Sequence, residues 1–325
     1  MLNRRDFIGL GALALAGCRT IETPRARNAR PFTPPADVGD LVEKAPPEPP
    51  KPEFHVFSKM FQSPVTKNVD ELCELMAKAG FDGIQWTVRA KGHVLPERVS
   101  EDLPKVVAAA RKQGLKSTTI CTAITDGNDP VAERVLKTAA DCGFKLFRPG
   151  YYFYDVKKET FAQSMARIRK GFASLAAIAE KTGMKATYQN HSSWGPSVFG
   201  GLVWDIHECI RDLDPKHVGL EYDPMHAFFE TNQPWSHGFE LVMPWVGAVD
   251  LKDFHFQQSK KNRKDHAKFL CPAGEGIVPW KNVRALLDQY KVNVPYILHF
   301  EYDFDKTDLL KTVKGELDWF KGAFA

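Results

Sequence analysis

Residues 217–226 read HVGLEYDPMH. A short β-prone run, 217–223, closes on an acid, Asp223, and a histidine, His226, follows three residues on. The same event recurs along the chain. The run at 82–88 leads into TVRAKGHVLPE, 145–149 into RPGYYFYD, 184–190 into YQNHSS, 246–252 into DLKDFHF and 295–302 into HFEYDF. Two further β-prone runs, 54–60 and 116–122, complete a set of eight. Apolar strands that repeatedly end in ionisable or hydrogen-bonding side chains point to a polar pocket, because each such group costs free energy if buried unpaired.

Between the runs lie amphipathic helical stretches such as NVDELCELMAKAG, DPVAERVLKTAADCG and FAQSMARIRKGFASLAAIAEKTG. Several open on Asn or Asp and close on glycine (Gly80, Gly114, Gly143, Gly183), as capped helices do. The last is LLKTVKGELDWFKGAF. Eight strand–helix units without a G-x-G-x-x-G turn predict an α/β fold, a (β/α)8 TIM barrel over 53–325, with a doubly wound sheet as the alternative. In a barrel the loops after the strands open onto one face, which gathers Arg89, His93, Arg148, Gln189, His191, Asp223, His226, Lys252, Asp253 and Glu301.

These endings carry a resemblance. An asparagine–histidine pair after strand five (Asn190, His191), D-x-x-H after strand six, LKD after strand seven, GEG at 274–276 and a glutamate at the end of strand eight together resemble the xylose isomerase-like TIM barrels. This is the sugar isomerase/epimerase superfamily, and GHVLPE, YQNH, YDPMHA and LKDF are similar to its exported members of sugar phosphate isomerase/epimerase type. The resemblance spans about residues 54–320. It implies one divalent metal, Mn2+ or Mg2+ by the hardness of the donors, held at Gln189, Asp223, Asp250 and Glu301. Two of these depart from the family pattern. Gln189 stands for a glutamate and Asp250 for a histidine, so loss of the metal site is the competing reading. His191 or His226 could complete the set. His255 and His266 are further ligand candidates by analogy with the nuclease branch, whose full histidine set is absent.

The family's epimerases use glutamates on strands five and eight as paired acid/base groups, and Gln189 takes up no proton. The expected chemistry therefore has one strong base, Glu301, removing a proton next to a carbonyl, with a metal or Lys252 stabilising the enediolate oxygen. Reprotonation elsewhere gives isomerisation. Expulsion of a β substituent gives elimination from a 3-keto-glycoside, with His191 or His226 as the acid; His191 could also serve as a second base. A catalytically silent sugar-binding lipoprotein is the third reading. Arg89, His93, Arg148, Asn190, Trp194 and Asp253 are the candidate substrate contacts, Trp194 or Trp86 offering a ring face to a sugar unless it is a core aromatic.

The 325 residues, 43% of them hydrophobic, suffice for a substantial core. A net charge of +4 with one basic run, SKKNRK at 259–264, does not imply a nucleic-acid partner, and that run reads as a solvated loop. The expected partner is a small carbohydrate, with self-association left open. Residues 1–18, MLNRRDFIGLGALALAGC, pair Arg4 and Arg5 with an apolar stretch too short for a comfortable membrane span and end on LAGC at Cys18. RRDFI resembles a twin-arginine export signal and LAGC a lipobox, against an ordinary cleaved signal. Either predicts an exported, periplasmic or cell-envelope protein, touching membrane only through an N-terminal lipid. Residues 19–52 are proline-rich and read as a disordered tether. Cys73, Cys121, Cys142, Cys209 and Cys271 lack C-x-x-C spacing and are expected as buried free thiols.

Overall fold

The predicted caps form. Asn68 accepts from the Glu71 backbone at the start of one helix, Thr160 and Gln163 close a capping box at another, and Gly80 and Gly183 end helices at φ of +92° and +70°. In the computed structural model residues 52–192, 197–232, 234–258 and 266–325 are described. The export signal, all but Pro52 of the tether, Trp194 and the basic run 259–264 lie outside the described residues.

In chain order the elements are β1 (Phe54–Phe57), α1 (Val69–Ala79), β2 (Gly83–Thr87), α2 (Val99–Lys112), β3 (Thr119–Cys121), α3 (Pro130–Asp141), β4 (Leu146–Arg148), α4 (Phe161–Thr182), β5 (Lys185–Gln189) and α5 (Val203–Ile210). They continue with β6 (Val218–Tyr222), α6 (Pro224–Thr231), α7 (Trp235–Val242), β7 (Val246–Leu251), β8 (Asp253–Gln258), β9 (His266–Cys271), α8 (Trp280–Gln289), β10 (Tyr296–Leu298) and α9 (Leu309–Ala323). Eight parallel strands, β1 to β7 and β10, close into a barrel, β10 pairing back onto β1. Closure leaves no sheet edge, which excludes the doubly wound alternative. The antiparallel pair β8–β9 stands apart as a hairpin inserted after β7, which the apolar run DLKDFHF conceals.

The main core lies between barrel and helices, where Val56, Ile84, Leu220 and Val249 meet Leu72, Met76, Leu103 and Phe172. Truncating any of these to alanine would cost about 2–5 kcal/mol. Inside the barrel the apolar cluster is small, formed by Phe57, Cys121, Ala248 and Ile297. Much of the remaining interior is polar and buried, including His55, Gln85, Arg148, Glu221 and Asp250. Cys73, Cys121, Cys209 and Cys271 are buried free thiols, and Cys142 is a half-buried one.

Two strand ends are shorter than their sequence runs. Residues 58–61 turn into a 3-10 helix, which brings Lys59 over the barrel mouth. Beyond β10 the chain stays alongside β7, the His299 amide donating to the Leu251 carbonyl at 3.0 Å, so that His299 and Glu301 still reach the interior.

Candidate active site

Asp223 ends β6 and caps α6, its Oδ1 accepting from the His226 backbone at 3.1 Å, with Pro224 in the first helical turn. Cap geometry thus explains the D-x-x-H spacing: it folds the His226 ring back to 3.6 Å from Asp223 Oδ2. Asn190 clamps this corner, donating to the Asp223 carbonyl at 3.0 Å and accepting from its amide at 2.8 Å.

Gln189, the last residue of β5, is at the centre. Its Oε1 accepts from Arg148 at 3.0 Å and from the Tyr151 hydroxyl. Its amide nitrogen donates to Asp223 at 3.1 Å and to Asp250 at 2.6 Å. Arg148 spans to Glu221 at 3.0 Å and lies over the Phe57 ring, and Gln85 donates to the other Glu221 oxygen at 2.8 Å. Burial and the neighbouring Asp250 push the Glu221 carboxyl up to about 8. Burial and Asp223 likewise hold Asp250 well above the ordinary carboxylate range, and His299 Nε2 faces it at 3.2 Å.

At the mouth, the Lys252 ammonium lies 3.1 Å from Asp223 and 2.9 Å from Glu301. Burial alone would depress it, but Asp223, Glu301 and Asp250 reverse that and keep it firmly charged. Glu301 also meets Lys59 at 3.0 Å, and its side chain is 17% exposed, more open than Lys252 or Asp223. Burial would raise the Glu301 carboxyl, yet Lys252 in particular holds it well below the usual range. The alternation of β-structure places these groups in two layers: Glu221, Asp250 and His299 below, Asp223, Lys252 and Glu301 two residues further along each strand.

A histidine pair flanks the mouth. His191 stacks on His226 with ring centroids 3.9 Å apart, and Ser192 Oγ lies 2.6 Å from His226 Nδ1. Lys268, on β9, reaches Ser192 and covers the Phe229 ring. Burial, then Lys252, lowers His191 to about 3 and His226 well below its ordinary value. Both shifts favour the neutral imidazole.

Six of the candidate substrate contacts are engaged by other groups or lie away from the acid cluster. Asp253 is turned into the protein, accepting from the amides of Phe254, Gly274 and Val278 and from Trp280 Nε1 at 2.8 to 3.2 Å. That lock explains GEG: a Cβ on Gly276 would sit 1.9 Å from Asp253 Oδ1. Arg148 and Asn190, 3% and 0% exposed, brace neighbouring side chains and backbone instead of facing a ligand. His93 pairs with Thr87 Oγ1 at 3.0 Å and lines a groove between α1 and α2. Trp86 is a core residue, fully buried and donating to Ser117. Arg89 is half-buried in the loop after β2, outside the acid cluster. His255 stacks on Phe269 in the hairpin. Sequence reading passes over Glu221, His299, Tyr151, Lys59 and Lys268. The first two are findable, since each precedes a predicted residue by two and so shares its face.

The four predicted metal ligands do not fit an ion. A ligand must present a lone pair, and the Arg148 and Tyr151 hydrogens fix Gln189 so that it presents its NH2 to the carboxylates. The Lys252 ammonium already bridges Asp223 and Glu301. One layer deeper, Glu221, Asp250 and His299 bring one donor atom each within 4.8 Å of the others, a set that could bind a metal.

Residues 73–323 match the family model described as xylose isomerase-like TIM barrel. No curated protein matches the chain. Among solved structures, 3-keto-D-glucoside 4-epimerase from E. coli is similar at a TM-score of 0.63 and 16% identity, covering 84% of this chain and 100% of that one. D-psicose 3-epimerase, determined in the presence of D-fructose, gives 0.62 and 14%, covering 84% and 99%. A xylose isomerase-like TIM barrel protein from Mycobacterium smegmatis in complex with magnesium gives 0.62 and 14%, covering 84% and 98%. At these identities the likeness is one of fold.

Proposed function

The chain belongs to the xylose isomerase-like TIM barrel family, and from that premise we propose that it is a carbohydrate isomerase working by proton transfer next to a carbonyl. The observation that carries this reading is the Lys252 ammonium held between Asp223 and Glu301 at the barrel mouth. Neighbours in fold described as epimerases of a 3-keto-D-glucoside and of D-psicose support the substrate class.

Glu301 is the proton acceptor. It is ionised, and of the mouth acids it is the one open to solvent. As the C–H bond breaks, its electron pair forms the enediolate and charge grows on the carbonyl oxygen, where Lys252 is the preorganised electrophile. A substrate oxygen that draws on Lys252 loosens that ammonium's hold on Glu301, which strengthens the base as the oxyanion is stabilised. Glu301 then returns the proton to the former carbonyl carbon, while the hydroxyl on the carbon that lost its hydrogen gives its proton to the enediolate oxygen and becomes the new carbonyl. The neutral histidines favour this single-carrier course. Held so far below neutrality, His191 and His226 bring no proton to the opposite face, as two-base epimerisation would require. A second reading, elimination from a 3-keto-glycoside, has Lys268 as its acid, whose ammonium burial makes easier to deprotonate. Manganese or magnesium would be held by Glu221, Asp250 and His299, where it would supply positive charge to the barrel floor.

Arg4, Arg5 and Cys18 place the protein in this reading as an exported lipoprotein, which favours glycosides and free sugars over sugar phosphates. Loss of palmitate labelling in Cys18→Ala tests the anchor. The reaction is tested by NMR in D2O over ketoses, aldoses and 3-keto-glucosides. Deuterium should enter at the carbon next to the carbonyl with wild type and not with Glu301→Gln. Binding of a sugar without exchange into any of them would leave the silent binding protein instead.

A further inference from the structure

We propose that Lys252 is the resident cation of this barrel, doing at Asp223 and Glu301 what a divalent ion would otherwise do, so that these two acids take up no metal. The inference rests on ion pairing, whichever sugar reaction the mouth performs, and either idea can fail without the other.

Three observations converge. Lys252 is 4% exposed, so its ammonium has no bulk water to fall back on and is solvated by Asp223 and Glu301. Asp223 and Asp250 are 0% exposed, and a buried carboxylate stripped of its counter-charge is strongly destabilising. Gln189 is the second half of the replacement. Its NH2 hydrogens donate to Asp223, on the same oxygen that the ammonium meets, and to Asp250, an arrangement that a glutamate cannot make and a metal does not need. An incoming divalent ion would have to expel a paired ammonium and also reverse an amide that Arg148 and Tyr151 hold in place. Gln189 and Lys252 thus act together on Asp223.

The test is Mn2+ binding, followed by elemental analysis after equilibrium dialysis and by the loss of free Mn2+ signal in electron paramagnetic resonance. Wild type should bind no Mn2+ that depends on Asp223 or Glu301. Lys252→Met should gain one Mn2+ per chain. Gln189→Glu with Lys252→Met, which adds a fourth carboxylate, should bind about a hundredfold tighter still. Lys252→Arg, which keeps the charge, should gain none. If a variant folds only in the presence of Mn2+, that dependence on circular dichroism reads out the same gain. Metal lost in His299→Asn but retained in Asp223→Asn would belong to the deeper set and agree with the proposal. A stoichiometric ion in wild type that Asp223→Asn or Glu301→Gln removes would overturn it, as would failure of both methionine variants to gain one.

Discussion

Gln189→Glu replaces an amide whose direction the surrounding hydrogen bonds dictate. The new oxygen would stand where the NH2 now donates to Asp223 at 3.1 Å and Asp250 at 2.6 Å. Asp223 repels an ionised carboxylate at position 189 by about 5 kcal/mol at an effective dielectric of about 20, and the Arg148 guanidinium, 3.0 Å from the other side-chain oxygen, offsets part of that. Keeping the new carboxyl protonated instead costs about 1.4 kcal/mol for each pH unit above its ordinary pKa of about 4.3, hence about 5 kcal/mol at pH 8 and about 1 kcal/mol at pH 5. The sign follows from linkage. The folded state holds its proton to higher pH than the unfolded chain, so relative stability falls as pH rises above about 4.3. Urea unfolding of wild type and variant, followed by tryptophan fluorescence at pH 5 and pH 8, should show a deficit of up to about 5 kcal/mol at pH 8 that shrinks to about 1–2 kcal/mol at pH 5. Equal stability at pH 8 in metal-free buffer would refute the assigned amide direction and the argument built on it.

Glu301→Gln should lower turnover by at least about a thousandfold while sugar binding persists, measured as deuterium exchange against calorimetric affinity. Glu221 sits in the floor at a carboxyl pKa raised to about 8. Native protein therefore binds more protons than unfolded chain between about 4.5 and 8, and stability should decline across that window by up to about 1.4 kcal/mol per unit. Glu221→Gln should flatten that part of the stability–pH curve; an unchanged slope would assign the proton elsewhere. Asp253→Ala strips acceptors from three backbone amides and Trp280, and a loss of about 3–5 kcal/mol is expected in chemical denaturation.

The barrel is legible because its determinants are local. Caps at Asn68, Thr160 and Gly183 and short β-prone runs between amphipathic helices repeat often enough to specify strand order without tertiary information. The acids are legible for a related reason: Asp223 and Glu301 follow strands and Asp250 lies one residue from the end of β7, and barrel closure alone brings such residues together. What the chain alone does not encode visibly is which polar groups satisfy one another. Arg148, Asn190 and Asp253 look like ligand contacts since each is polar at a strand end, yet each is consumed by a partner distant in sequence. Glu221 and His299 escape a reading that considers only the last inward position of each strand, one layer short of the floor. The hairpin escapes it because β8 continues β7 after a single intervening residue, with no turn residue to separate them.

That hairpin has an evolutionary corollary. Its base is bolted to the scaffold by Asp253, whose bonds to Gly274, Val278 and Trp280 tie the outgoing and returning arms to one carboxylate. Its β9 arm carries Lys268 to the histidine pair. Exposed residues of the arms, such as Phe256 and Phe269, can therefore change without loosening the base that Asp253 holds.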